Sequence, residues 1–238
     1  ENGDGRIDLS DVEYLMRNKK NTMTLLEGDG DFRSPECVEL LKEADIVVTN
    51  PPFSLFRDYV ALLMQYNKQF AIIGNQNAIT YREIFPLIKS NKIWLGYNNG
   101  HYWFMVPDSY EEKKTDFKID ESGQKWRRMG NICWFTNLDI EKRHEDMTLF
   151  RTYSPDIYPK YDNYDAIEVS KTADIPCDYD GYMGVPITFM QYYNPEQFEI
   201  AGLDDHRVEW VGHGPRLNGK VKYRRVIIRR KQVNTNEN

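Results

Sequence analysis

The residues best equipped for chemistry are Asn50-Pro51-Pro52-Phe53. Asn50 offers an amide oxygen that accepts a hydrogen bond from an amino group. The Pro51 carbonyl, freed from any strand ladder by the prolines around it, is a second acceptor beside it. Phe53 presents a flat apolar face for stacking. Two acceptors and an aromatic plane, in a turn stiffened by two prolines, suit a planar base that bears an exocyclic amine.

Such a turn needs elements that hold it. The run Ala44 to Thr49 is apolar and β-branched, which predicts a buried strand ending at the prolines. Ser54 is placed to cap a helix through Tyr59, Val60, Leu62, Leu63 and Tyr66. The tetrapeptide then lies at the carboxyl end of a strand, where ligands bind in open α/β sheets. Phe70 to Ile73 predicts a second strand, and Asn75-Gln76-Asn77 shares the edge of Asn50 if the two run parallel. Thr80 opens a predicted helix through Ile84, Leu87 and Ile88, with Pro86 set to kink it. Ile93 to Gly96 and Tyr102 to Val106 read as two strands joined at Asn98-Asn99-Gly100. Pro107 to Gln124 reads as a loop and Asn131 to Asn137 as a last strand. Upstream, Thr22 to Leu26 predicts a short strand, and Ser34-Pro35 starts a helix with Val38, Leu40 and Leu41 on its apolar face. The sum is an α/β sheet with an antiparallel end.

From about Arg151 the texture changes. Tyr153, Tyr158, Tyr161, Tyr164, Tyr179, Tyr182, Tyr192 and Tyr193 are mixed with prolines and aspartates. This predicts a small β-rich appendage or loops folded back on the sheet, with the tyrosines either in a mini-core or against nucleic acid. The net charge of −6 alone argues against a nucleic-acid binder. The charge is uneven, however: Lys220 to Lys231 carries Lys222, Arg224, Arg225, Arg229 and Arg230 among its bases and no acid. A phosphate-binding surface needs only such a local patch.

The 238 residues, 40% hydrophobic and 29% charged, fit one large domain or a domain with an appendage. No apolar run approaches a membrane span. Cys37, Cys133 and Cys177 lack metal or disulfide spacing, so a reducing, cytoplasmic setting is expected, with no metal. His101, His144, His206 and His213 also lack ligand spacing. Asn2 to Asp11 looks like part of a calcium loop, but it lacks a first ligand and ends in a short aspartate. A polar turn leading into a helix capped by Ser10 is the plainer reading.

The tetrapeptide resembles the catalytic motif of amino-group methyltransferases. The longer run Thr49 to Arg57, with Ala71 to Asn75 and Asn91 to Gly96, is similar to the EcoRI-type family of adenine-specific DNA methyltransferases. The resemblance extends from about Leu25 to the tail. It implies a class I methyltransferase-like, Rossmann-like fold: a mostly parallel sheet with an antiparallel end, plus a β- and loop-rich C-terminal region. Residues 1–150 would be a partial catalytic domain, and 151–238 a DNA target-recognition or packing appendage. The cofactor would be S-adenosylmethionine, with Asp31 accepting from its adenine amino group and Phe32 packing on the ring. The partner would be double-stranded DNA with one adenine flipped out. Asn50 and Pro51 would hold its N6 amine, Pro52 would stiffen the turn and Phe53 would stack. Trp134 or Phe135, of which only one faces a given side, would hold the second face of the base or pack in the core. Lys222, Arg224, Arg225, Arg229 and Arg230 would meet the DNA.

One part of the family pattern is missing. The glycine-containing cofactor motif and the ribose-binding acid are not found upstream of Leu25. The resemblance therefore implies a fragment lacking the amino-terminal cofactor half of a restriction-modification enzyme. Methylation of RNA or of a protein glutamine, and non-catalytic binding of nucleic acid on the same scaffold, are the alternatives.

Overall fold

The computed structural model describes residues 26–204 and 214–231, together with Tyr14 and Arg17. The Asn2–Asp11 turn, the Ser10 cap, the strand expected before Leu26, His206 and His213 lie outside the described residues. The chain divides into two compact units, Glu1–Ala44 and Asp45–Asn238.

In the first unit, helix α1 (Pro35–Glu43) begins as its sequence predicts. The Ser34 hydroxyl accepts from the Cys37 amide at 3.2 Å, and Pro35, which has no amide hydrogen to lose, occupies the first turn. Glu36 in that turn reaches back, its carboxylate accepting from the amides of Glu27 at 2.9 Å and Gly28 at 3.1 Å. The polar loop before the helix is thus tied to it.

The second unit holds two sheets. The first comprises β1 (Ile46–Thr49), β2 (Gln69–Asn75), β3 (Trp94–Met105), β4 (Phe117–Ile119) and β5 (Lys125–Thr136). Its order is β1-β2-β5-β3, with β4 also on β5. β1 and β2 are parallel, while β5 runs antiparallel to β2, β3 and β4. The sheet is therefore mixed, with β1, β2 and β3 running one way and β5 inserted against them.

Helix α2 (Phe56–Gln65) links β1 to β2 and buries Phe56, Val60 and Leu63, a spacing of four and three residues that lines one helical face. Phe56 meets Phe135 of β5 with ring centroids 5.0 Å apart. Both rings press on Gly74, where an added Cβ would lie 2.6 Å from Phe56 and 2.8 Å from Phe135. The edge-to-centre connection is pinned by Asn137, which accepts from the Phe70 amide and donates to the Lys68 carbonyl, each at 2.8 Å.

Four local expectations are corrected. β1 forms where predicted but is only half buried, because it is the edge strand: Ile46 and Val48 are exposed, Val48 at 66%. Asn98-Asn99-Gly100 does not reverse the chain; both predicted strands are halves of β3, because both pair with the single long β5, and the asparagine-glycine stretch marks shifts of register. The predicted helix from Thr80 starts only at α3 (Phe85–Lys89), with Pro86 in its first turn rather than kinking its middle. Ser54 makes no capping bond, since the chain enters α2 through a 3-10 turn over Phe53–Leu55. The Pro107–Gln124 stretch is loop apart from β4.

The second sheet comes from the tyrosine-rich region: β6 (Ala166–Glu168), β7 (Tyr182–Val185), β8 (Phe198–Asp204) and β11 (Arg225–Arg230), in the order β6-β7-β11-β8. A short ribbon, β9 (Arg216–Leu217) and β10 (Lys220–Val221), precedes β11. Met183, Val185, Leu203, Val226, Ile227 and Ile228 are fully buried, and Tyr158 and Tyr161 join them. Among the described residues no helix is long and apolar enough to cross a membrane.

Candidate active site

The parallel pairing sets Thr49 opposite Ile72, so Asn50 leaves the sheet at the same end as Asn75. Pro51 is buried, while Asn50, Pro52 and Phe53 are exposed. The buried Pro51 anchors the turn, and Asn50 and Phe53 on either side of it are exposed. The Leu55 amide closes the turn on the Pro52 carbonyl at 2.9 Å, and α2 follows directly. At the end of β2 the Asn75 side chain accepts from the Asn77 amide at 2.9 Å, capping a second 3-10 turn over Gln76–Thr80.

These two turns wall a cleft of about 750 Å³ beside Phe53, and Tyr223 and Arg224 from the strand entry of β11 close it. Thr80 is buried and joins its walls: its hydroxyl donates to the Asn77 carbonyl at 2.9 Å and accepts from Arg224 Nη1 at 2.8 Å. Arg57 lies over the Tyr81 ring at 5.6 Å and 3.9 Å from Glu83.

Of the five basic residues expected to meet a partner, only Arg224 lines this cleft. Arg225 turns inward. Its guanidinium grips Glu168, with Nη2 donating to Oε1 at 2.6 Å and Nε to Oε2 at 3.1 Å, and the Tyr161 hydroxyl donates to the same carboxylate. Burial alone would raise Glu168, but the hydrogen bonds from Arg225 and Tyr161 outweigh it and hold the carboxyl below its ordinary value. Arg229 pairs with Glu199 at 2.7 Å, Arg230 donates to the Cys177 carbonyl, and Lys222 is exposed. Phe135 is wholly buried against Phe56, and Trp134 points to the opposite face, beside Gly96.

In the first unit Asp31 and Phe32 sit together with Arg33. The Asp31 carboxylate accepts from the Arg33 amide at 2.9 Å, from Nε at 3.0 Å and from Nη2 at 2.8 Å. These bonds hold its pKa down at about 2. The same guanidinium lies 5.3 Å from the centre of the Phe32 ring.

Arg57 and Tyr223 were not singled out by the sequence as site residues. Arg57 had a readable signal, since it falls four residues after Phe53 and so on the same side of the incoming helix. Tyr223 had none, because its approach to Phe53 depends on how the last strand enters its sheet.

A mixed α/β sheet that ends a parallel strand pair in an outward-facing Asn-Pro-Pro-Phe turn is the arrangement expected of an amino-group methyltransferase. The chain belongs to the family described as adenine-specific methyltransferase EcoRI, whose model matches residues 1–231. It is 51% identical over 214 residues to the Type II methyltransferase M.EcoRI of Escherichia coli, which covers 87% of this chain and 64% of that protein. It is 42% identical over 241 residues to M.MgeORF184P of Mycoplasma genitalium, covering 93% of this chain and 75% of that one. With M.MpnI of Mycoplasma pneumoniae the identity is 41% over 229 residues, covering 87% and 70%. Both Mycoplasma proteins are likewise named Type II methyltransferases. The chain thus spans somewhat under two thirds of the length of the Escherichia coli relative. No solved structure matches it.

Proposed function

We propose that this chain carries the base-handling part of an S-adenosylmethionine-dependent methyltransferase that modifies adenine N6 in double-stranded DNA, as one arm of a restriction-modification pair. The observation that carries this reading is the exposure of Asn50 and Phe53 around a buried Pro51, at the end of the parallel β1–β2 pair. A flipped adenine meets the Asn50 amide oxygen and the Pro51 carbonyl through its two N6 hydrogens. Phe53 stacks on the ring and fixes its plane. Both contacts orient the nitrogen lone pair, and the rate gain comes from that positioning. In this reading β1, β2 and β3 form the parallel side of a class I methyltransferase sheet, with β5 as its reversed strand. Residues 151–238 serve as the target-recognition or packing appendage, and the scattered free cysteines suit a cytoplasmic setting.

Asp31 and Phe32 fit the adenine end of the cofactor. An ionised carboxylate offers about four acceptor positions. Arg33 takes two on Oδ1 and one on Oδ2, which leaves one on Oδ2 for an amino group. When bound, S-adenosylmethionine supplies the electrophilic methyl group.

The test is a competition. Methyl-labelled S-adenosylmethionine is offered to the full-length protein that carries this sequence, with equal amounts of unmethylated duplex DNA, structured RNA and a protein extract. Label should enter the duplex. Label in RNA or protein instead would replace this reading with one of its alternatives.

A further inference from the structure

We propose that the cleft beside Phe53 holds the phosphodiester backbone and a neighbouring unstacked base of the strand that carries the reacting adenine. This rests on the methyltransferase reading and names the surface that grips the substrate next to the reaction.

The cleft has the size of a ligand site, about 750 Å³, and it opens directly onto Phe53. Three arginines from three separate segments converge on it: Arg57 from α2, Arg82 from the turn after β2, and Arg224 from the entry to β11. Glu83 is the only acid among its lining residues. In a chain of net charge −6, this convergence marks a local anion site. Guanidinium groups pair with phosphate oxygens through two parallel N–H bonds, which suits a backbone running past the turn.

Two further features favour a nucleic acid over a free phosphate. Tyr223 lines the cleft yet remains 72% exposed, so its ring face is available to a stacked base. Arg224 is held in place by the buried Thr80 hydroxyl, which in turn is tied to the Asn77 carbonyl. A guanidinium fixed by the turn that borders Phe53 keeps the gripped backbone in register with the base. The other basic residues of the strand are outside this surface: Arg225 and Arg229 are committed to Glu168 and Glu199.

The experiment follows the binding of a fluorescein-labelled 24-base-pair mixed-sequence duplex by anisotropy, between about 50 and 200 mM salt, where phosphate contacts dominate. Arg224→Ala and Arg57→Ala should each weaken binding several-fold and reduce the slope of log affinity against log salt by about 1. Arg224→Lys should keep the slope. Arg229→Ala, paired away from the cleft, should leave both unchanged. Tyr223→Ala should lower affinity for single-stranded DNA by roughly tenfold. Slopes for Arg224→Ala and Arg57→Ala equal to that of the unaltered chain, with unchanged melting curves, would overturn the cleft and leave the methyltransferase reading standing. Failure of the unaltered chain to bind duplex DNA at all would overturn both.

Discussion

Arg224 and Arg225 are neighbours in sequence and opposites in use. Arg224 reaches the cleft at Phe53 through a neutral threonine hydroxyl. Arg225, with its side chain 12% exposed, is locked onto a Glu168 side chain at 4%. The first region is built from turns at the ends of strands, with Asn50, Arg57 and Arg82 exposed. The second is the interior of a four-stranded sheet, with its charges consumed by one another. A run of basic residues therefore does not define a binding surface. The run is divided where the strand begins: Arg224 precedes β11 and lines the cleft, while Arg225 opens the strand and must be neutralised.

The sharpest way to break that contrast is to remove each arginine in turn. Arg225→Ala leaves a buried Glu168 without its partner and should cost about 3–5 kcal/mol in urea unfolding. Arg224→Ala removes a donor to the Thr80 hydroxyl, which keeps its own bond to the Asn77 carbonyl, and should cost about 1 kcal/mol or less. Equal losses would mean that the cleft is as structural as the sheet interior. Next in size is Gly74→Ala, which drives a methyl group into the Phe56 and Phe135 rings beneath the Asn50 turn. Overpacking there should cost about 1–3 kcal/mol, and it tests whether the outward-facing turn depends on a tight core behind it.

The smallest effect concerns His144, which joins Asp139, just after β5, to Glu196, just before β8. Hydrogen bonds that its ring donates to Asp139, and then to Glu196, raise its pKa above the ordinary imidazole value. A raised histidine stabilises fully below its unfolded value and loses that contribution as pH climbs through the folded one. The stability difference between the unaltered chain and His144→Gln should therefore be largest near pH 5 and shrink toward pH 8. A difference that grows with pH would contradict the pairing.

Much of this was legible in the sequence because the signals were local. The proline pair ended β1, Ser34-Pro35 started α1, and the apolar run Phe70 to Ile73 formed β2. The misreadings came where tertiary pairing overrode a local cue. Asn98-Asn99-Gly100 has the chemistry of a turn, but β5 is long enough to pair on both sides of it, so it became an irregularity within β3. Ser54 has the chemistry of a cap, but the tight turn after Pro52 set the geometry first. The tetrapeptide was found from residue types alone. Its cleft was not, because Arg57, Thr80 and Arg224 are brought together only by the fold.

The most direct test of the account is nucleoside analysis of unmethylated duplex DNA incubated with S-adenosylmethionine and the full-length protein that carries this sequence, either unaltered or as Asn50→Ala. The account predicts N6-methyladenine from the unaltered full-length protein and a yield lower by about 10²–10³-fold from its Asn50→Ala variant, the scale on which removing one preorganised polar contact acts. Their unfolding curves should superimpose, because Asn50 is exposed and outside the core. Undiminished N6-methyladenine from Asn50→Ala, or methylation of a different base, would contradict the assignment of this turn as the catalytic centre.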